Sequence, residues 1–285
     1  MARTFTISPF TPLFFIDRKA DGVACGYIQT FAPTDKILVE VIETGFTPGS
    51  LLVTPPVAFL ASEDNDRFDK VSWNLWEMNP TTRIWFVVLS PNPGIYVLRI
   101  DGIGESQPFR VTDNELELAT TTLIQYSSKS NRYRKDVVFF IDLMQYFFDW
   151  RVPGGFKDSG WSFSAESDQF MTPLSDIIQL SGMEAVQKTF TLGNQQGVPI
   201  WFGEMLNRIL TCTHVYFDGR KYCRKDTSVP EVTQQLEGIN GFVFTQTLQQ
   251  SNNLDPEIEQ RNQAIMRRIG ATEYRNVSPQ NRLVY

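Results

Sequence analysis

The segment from Asp136 to Trp161, DVVFFIDLMQYFFDWRVPGGFKDSGW, limits the possible folds of this chain more than any other stretch. It holds five of the 22 Phe and two of the six Trp, so it must lie in a core or be covered by a neighbour. Val137–Asp142 and Tyr146–Trp150 are β-branched and aromatic runs suited to a pleated, half-buried surface. The residues between them are few enough for a hairpin. On the second run, alternation sends Phe147 and Asp149 one way and Tyr146, Phe148 and Trp150 the other. Pro153 lacks an N–H and is expected to end the pairing, and Gly154 and Gly155 to turn the chain. Phe156, Trp161 and Phe163 follow as further anchors.

The region before it has the same character. Strands are expected at Thr4–Ile7, Leu13–Ile16, Tyr27–Phe31, Ile37–Ile42, Val57–Ala61, Ser72–Trp76, Ile84–Leu89, Tyr96–Ile100 and Phe109–Val111. Turn signals separate them at Asp21-Gly22, Pro33-Thr34-Asp35, Thr47-Pro48-Gly49, Pro91-Asn92-Pro93-Gly94 and Asp101-Gly102. In Ile37–Ile42, the residues Ile37, Val39 and Val41 share one face and Glu40 the other. Strands punctuated every ten or so residues point to a β-sandwich over 1–112.

The acidic stretch 113–119 reads as a linker loop. A second β-rich domain with α+β character then covers 113–254. Its expected strands are Thr120–Tyr126, the central hairpin, Ile177–Leu180, Lys188–Leu192, Val215–Asp218, Lys221–Arg224 and Phe242–Leu248. Asp218-Gly219 is a strong hairpin turn. One core helix is expected over 199–210, with Pro199 at its first position. Trp201, Met205 and Ile209 recur along one face of it, with Phe202, Leu206 and Leu210 beside them. In 255–285, Asp255 and Pro256 open a surface helix with a thin apolar stripe of Ile258, Ile265 and Ile269, and an extended tail ends at Tyr285. The fold class is therefore mainly β.

Composition narrows the function. The chain has 285 residues, 42% hydrophobic and 20% charged, with a net charge of −6, which suits a globular protein with a real core. Nucleic-acid binding is not expected from an acidic chain whose densest basic run is Lys129–Lys135. Cys25, Cys212 and Cys223 are too few and scattered for a disulfide framework, which fits synthesis in a reducing cytoplasm. No signal-peptide pattern opens the chain, and no apolar run approaches a membrane span.

Reactive groups are sparse. The single histidine, His214, stands two residues from Cys212, without the further ligands a metal site needs or an orienting third group for nucleophilic catalysis. No phosphate loop, dinucleotide fingerprint or nucleophile elbow occurs. Asp142, Asp149, Asp158, Glu166 and Asp168 could supply a glycosidase pair. Trp73, Trp76 and Trp85 could present a sugar platform. No catalytic, cofactor or metal residue is singled out, and no cofactor is expected.

Several segments of the second half resemble structural proteins of tailed bacteriophages and prophages of gut Bacteroidetes: YSSKSNRYRKDVVFFID (126–142), FFDWRVPGGFKDSGW (147–161), QGVPIWFGEMLNRIL (196–210), VYFDGRKYCRKDTSVPE (215–231) and GFVFTQTLQQ (241–250). The resemblance implies a non-enzymatic tail, baseplate or neck-ring subunit located in the virion. Its partners would be further copies of itself in a closed ring and other virion proteins, with neither nucleic acid nor membrane. The residues expected to carry assembly are Lys129, Arg132, Arg134, Trp161, Phe163, Ile258, Ile265 and Tyr285. A lone glycan-binding module and a glycoside hydrolase are the alternatives.

Overall fold

The structure is a computed structural model that describes residues 3–15, 27–46, 53–62, 68–131, 134, 136–141, 144–173, 176–195, 197–225, 230–234 and 241–250, with the side chains of 159, 164–167 and 181–184 outside the description. The expected helix and tail over 255–285 therefore lie outside the described residues, as do the turns at Asp21-Gly22 and Thr47-Pro48-Gly49.

The first ten strands are β1 (Thr4–Ile7), β2 (Gln29–Phe31), β3 (Ile37–Thr44), β4 (Ala58–Ser62), β5 (Phe68–Lys70), β6 (Asn74–Asn79), β7 (Thr82–Leu89), β8 (Gly94–Ile100), β9 (Gly104–Glu105) and β10 (Phe109–Val111). They form two sheets, β1-β3-β7-β6 and β2-β10-β8-β4-β5 with β9 beside β8. Ile37, Val39, Val41, Trp85 and Val87 from the first sheet pack on Leu60, Leu98, Ile100, Phe109 and Val111 from the second. This is the expected β-sandwich, its core filled by alternate residues of both sheets. Residues Leu13 to Phe15 are not a strand, contrary to expectation; Leu13 is instead buried in the sandwich core, and the Phe14 carbonyl accepts from the Gln107 N–H at 2.6 Å.

The acidic stretch is not all loop. Helix α1 (Glu115–Leu118) forms because the Asn114 side chain caps the Leu116 N–H at 3.1 Å and Glu115 and Glu117 suit its first turn. Then come β11 (Thr121–Ser127), β12 (Phe140–Ile141), β13 (Met144–Gln145), β14 (Phe148–Met171), β15 (Ile177–Leu192), α2 (Ile200–Ile209), β16 (His214–Phe217), β17 (Arg220–Arg224), β18 (Glu231–Gln234) and β19 (Phe242–Gln250). The order β15-β14-β11-β16-β17-β19-β18 is joined end to end by a β15–β19 pairing, so six strands close on themselves and β18 adds to β19. Closure removes the exposed edges that an open sheet would leave. Helix α2 lies as expected, burying Trp201, Phe202, Met205, Leu206 and Ile209. Gly203 lets it approach closely, since a Cβ there would overlap the Phe244 ring. Asp218 and Gly219, with φ of 47° and 78°, make the expected tight turn between β16 and β17.

Two corrections concern the central segment. Its hairpin is the short β12–β13 pair, and Phe148 begins a strand of 24 residues. Pro153 does not end that strand. It faces Thr121 in register, and its carbonyl accepts from the Gly193 N–H at 2.9 Å, so only its missing donor is lost to the ladder. Nor do Gly154 and Gly155 turn the chain: the strand runs on through them, with Gly154 at φ of 119° where a Cβ would overlap the Thr191 carbonyl oxygen. The expected separate strands Ile177–Leu180 and Lys188–Leu192 are one strand, β15.

Glu40 lies on the face of β3 opposite Ile37, Val39 and Val41, as expected, and that face too is covered. It is 2% exposed, because the segment before β12 covers the outer side of β3. Its Oε2 accepts the Val138 N–H at 3.1 Å, and burial pushes its pKa up to about 8. Nearby, the Asp35 carboxylate takes two bonds from the Arg151 guanidinium at 2.7 and 2.8 Å, and Asp149 accepts the Lys36 N–H at 2.8 Å. Ser8 donates to the Asp136 carbonyl at 2.6 Å, and Arg208 to that of Pro9 at 2.7 Å. The sequence boundary at 113 separates two sheet systems, but these bonds bind them into one compact unit, 1–163 with 187–250. The second compact unit contains 164–186, which takes in the end of β14 and the beginning of β15.

Candidate assembly surface

Strand β14 starts in the densest part of the core. Phe148, Trp150 and Val152 are fully buried with Tyr126, Phe190 and Phe202. Tyr126 stacks on Phe148 with ring centroids 5.3 Å apart, and its hydroxyl donates to the Phe10 carbonyl. The alternate residue Asp149 is also covered, bonded by Gln125 at 2.9 Å as well as by Lys36. Burial raises its pKa.

Further along, the strand changes character. Trp161 is 48% exposed and Phe163 76%, with their ring centroids 6.2 Å apart. The Lys188 ammonium stands 3.7 Å from the Trp161 centroid, a cation–π contact that fixes one face of the indole. Burial, and then the Arg220 guanidinium, lower the Lys188 pKa.

Within the second unit, Phe170, Met171, Ile177, Ile178 and Leu180 are all 46–65% exposed. They flank one turn, which the Thr172 N–H closes on the Asp176 carbonyl at 2.8 Å. Single exposed apolar residues are ordinary, whereas five large ones around one turn form an apolar patch of the kind contact surfaces use. Fully burying such a side chain is worth ~1.5–3 kcal/mol, so covering five half-exposed ones gains about 4–7 kcal/mol. That is comparable to the ~4–15 kcal/mol that association costs in lost freedom. Covering these five side chains alone would therefore not hold a tight pair.

The predicted assembly residues divide. Trp161 and Phe163 are exposed. Lys129 is exposed in the loop after β11. Arg134 has a structural engagement: its guanidinium holds Asp136 by two bonds at 2.8 and 2.7 Å and lies 4.5 Å from the Phe10 centroid. That pairing lowers the Asp136 pKa. Asn131 in the same loop accepts the Phe139 and Phe140 N–H groups, which anchors the loop to β12. Arg132, Ile258, Ile265 and Tyr285 lie outside the described residues. The unit-2 hydrophobics were missed because Ile177–Leu180 reads as an ordinary short strand. The available signal was a strand apolar on successive residues, Ile177 and Ile178, rather than on alternate ones.

The alternative chemistries find the following geometry. Cys212 is half-buried ahead of β16, and burial pushes its thiol up to about 11, so it stays protonated and unreactive at neutral pH. His214 is buried with its ring 6.4 Å from that of Phe147. Of the five carboxylates considered, Asp149 is engaged in the core and Asp158 and Asp168 are exposed; Asp142 and the Glu166 side chain lie outside the described residues. No group of three metal-ligating side chains occurs among the described residues. Trp85 is buried and donates to Glu43 at 2.7 Å, while Trp73 and Trp76 pack half-buried against core clusters. A cleft of about 710 Å³ lies at the sandwich edge, lined in part by Asp69, Lys70, Asn74, Asn92, Tyr96 and Tyr146. No helix among the described residues is long and apolar enough to cross a membrane.

The sequence matches no protein-family model and no curated protein.

Proposed function

We propose that this protein is a non-enzymatic structural subunit of a tailed-bacteriophage virion, a tail, baseplate or neck-ring component that assembles with copies of itself and docks other virion proteins. The observation that carries the assembly part is the run of five exposed apolar side chains around the β14–β15 turn. The virion part rests on the resemblance of the second half to phage structural proteins. Strands β14 and β15 each begin or end in a closed set of strands whose edges are paired within the chain, so their exposed apolar residues are not needed to complete that set. In this role the aromatic mass gives shape and contact area, and the expected partners are protein surfaces.

The test is electron microscopy of the purified full-length chain, with light scattering across a concentration series. Annular particles of one symmetry are the expected result. Monomers at every concentration would overturn the ring. Removing Ala271–Tyr285 is expected to leave a folded monomer.

A further inference from the structure

We infer that the turn of the β14–β15 hairpin seats on the outward face of strand β17 in a second copy of the chain; this rests on the ring reading above. Charge selects the seat. Residues 158–187 contain Asp158, Glu166, Asp168, Asp176 and Glu184 and no Lys or Arg, so this segment holds −5 of the chain's net −6. Hairpin against hairpin would set like charges opposite one another around the apolar residues. A complementary seat must be basic, and it must lie elsewhere on the copy.

Strand β17 and the residue after it supply that seat. Residues 220–225 read RKYCRK; Arg220 and Arg224 share the parity of Tyr222, and Arg224 is bonded to Asn207 at 2.5 and 3.0 Å, which leaves Lys221 and Lys225 as the bases of the seat. Tyr222 is buried in the barrel core, so alternation turns Lys221, Cys223 and Lys225 outward. The neighbouring acid at the turn, Asp218, directs its carboxylate to the Leu123 N–H at 2.9 Å. The other basic run, Lys129–Lys135, is a poorer seat because Asp136 already neutralises Arg134. Two different patches on one chain make a head-to-tail contact, the kind that closes a ring when the rotation permits.

The experiment is charge reversal in the full-length chain, read by light scattering. Lys221→Glu with Lys225→Glu is expected to raise the concentration for half-assembly at least tenfold. Asp168→Lys with Asp176→Lys should do the same, and all four together should restore assembly. Circular dichroism melting should be unchanged in each variant. In parallel, Ile178→Cys treated with a short bis-maleimide should give covalent multimers through the exposed Cys223 thiol, lost on adding Cys223→Ser. Normal assembly in both charge-reversed pairs, or crosslinking that survives Cys223→Ser, overturns the seat and leaves the ring reading standing. A wild-type chain that stays monomeric overturns both.

Discussion

The two ends of strand β14 are one continuous stretch of backbone with opposite surroundings. At its start Phe148, Trp150 and Val152 are fully buried, whereas from Trp161 onward its described aromatic residues are 48–76% exposed. Local composition does not separate them, since both ends are rich in large apolar residues. What differs is cover. The start is enclosed by β11, β15 and helix α2 inside a closed barrel, while residues beyond 163 belong to a unit in which Phe170, Met171, Ile177, Ile178 and Leu180 are exposed. A strand's hydrophobicity therefore specifies how much area must be covered, and the topology decides whether the chain or a neighbour covers it.

The sharpest way to break this comparison is truncation at the covered end. Phe148→Ala removes a ring stacked on Tyr126 and set edge-on to Phe139. The expected loss is ~3–5 kcal/mol of unfolding free energy by urea denaturation. A loss under about 1 kcal/mol would show that this end is not closely packed.

The buried acid where the sandwich meets the barrel system gives the next largest effect, and its sign is unusual. Glu40 has a folded pKa near 8, above its ordinary value of 4.5. The folded state therefore binds the proton more tightly, and this group's contribution falls as pH rises through that window. At about 1.4 kcal/mol per pH unit, the decline would be of order 4 kcal/mol between pH 4.5 and 8. Glu40→Gln has no charge to bury, so it should flatten the curve and melt higher than wild type at pH 9. Parallel melting curves of the two proteins from pH 5 to 9 would remove Glu40 as the cause.

The same contrast explains what could be read from the sequence. Strands β3, β7, β8 and β10, helix α2 and the Asp218-Gly219 turn were legible because each is set by local pattern: alternation, a 3.6-residue period or a positive-φ pair. Alternation put Glu40 on the correct face of β3, but its burial was not legible, because its cover comes from residues about a hundred positions away, which no local pattern reports. Pro153 and the glycines after it misled because a missing N–H and a positive φ do not by themselves end a strand: the Pro153 carbonyl still accepts from Gly193 and the strand continues through Gly154. The candidate surface was half legible. Trp161 and Phe163 stood out as large aromatics past a turn signal, whereas Ile177, Ile178 and Leu180 read as a strand, and their exposure depends on what the fold fails to place over them.

Helix α2 offers a smaller test of cover by close approach. Gly203→Ala gains ~1 kcal/mol of helix propensity but drives a methyl group into the Phe244 ring. Overpacking costs ~1–3 kcal/mol, so a net loss of about 1 kcal/mol is expected. A stabilised variant would mean that the helix and β19 can separate without penalty.

The smallest expected stability effect lies at the uncovered end, and it is what makes the contrast decisive. Phe170 and Ile178 are 53% and 46% exposed, so changing either to Ser removes little area that folding had buried. Each is expected to alter the unfolding free energy of the monomer by less than about 0.5 kcal/mol. The same changes should nonetheless weaken self-association, because their exposed halves are the area a neighbour would cover. Measured side by side, Phe148→Ala should lower stability and Phe170→Ser should lower assembly with the fold intact. If Phe170→Ser instead destabilised the monomer by several kcal/mol, the ring would be covered from within the chain, and the β14–β15 turn would have no claim as a contact surface.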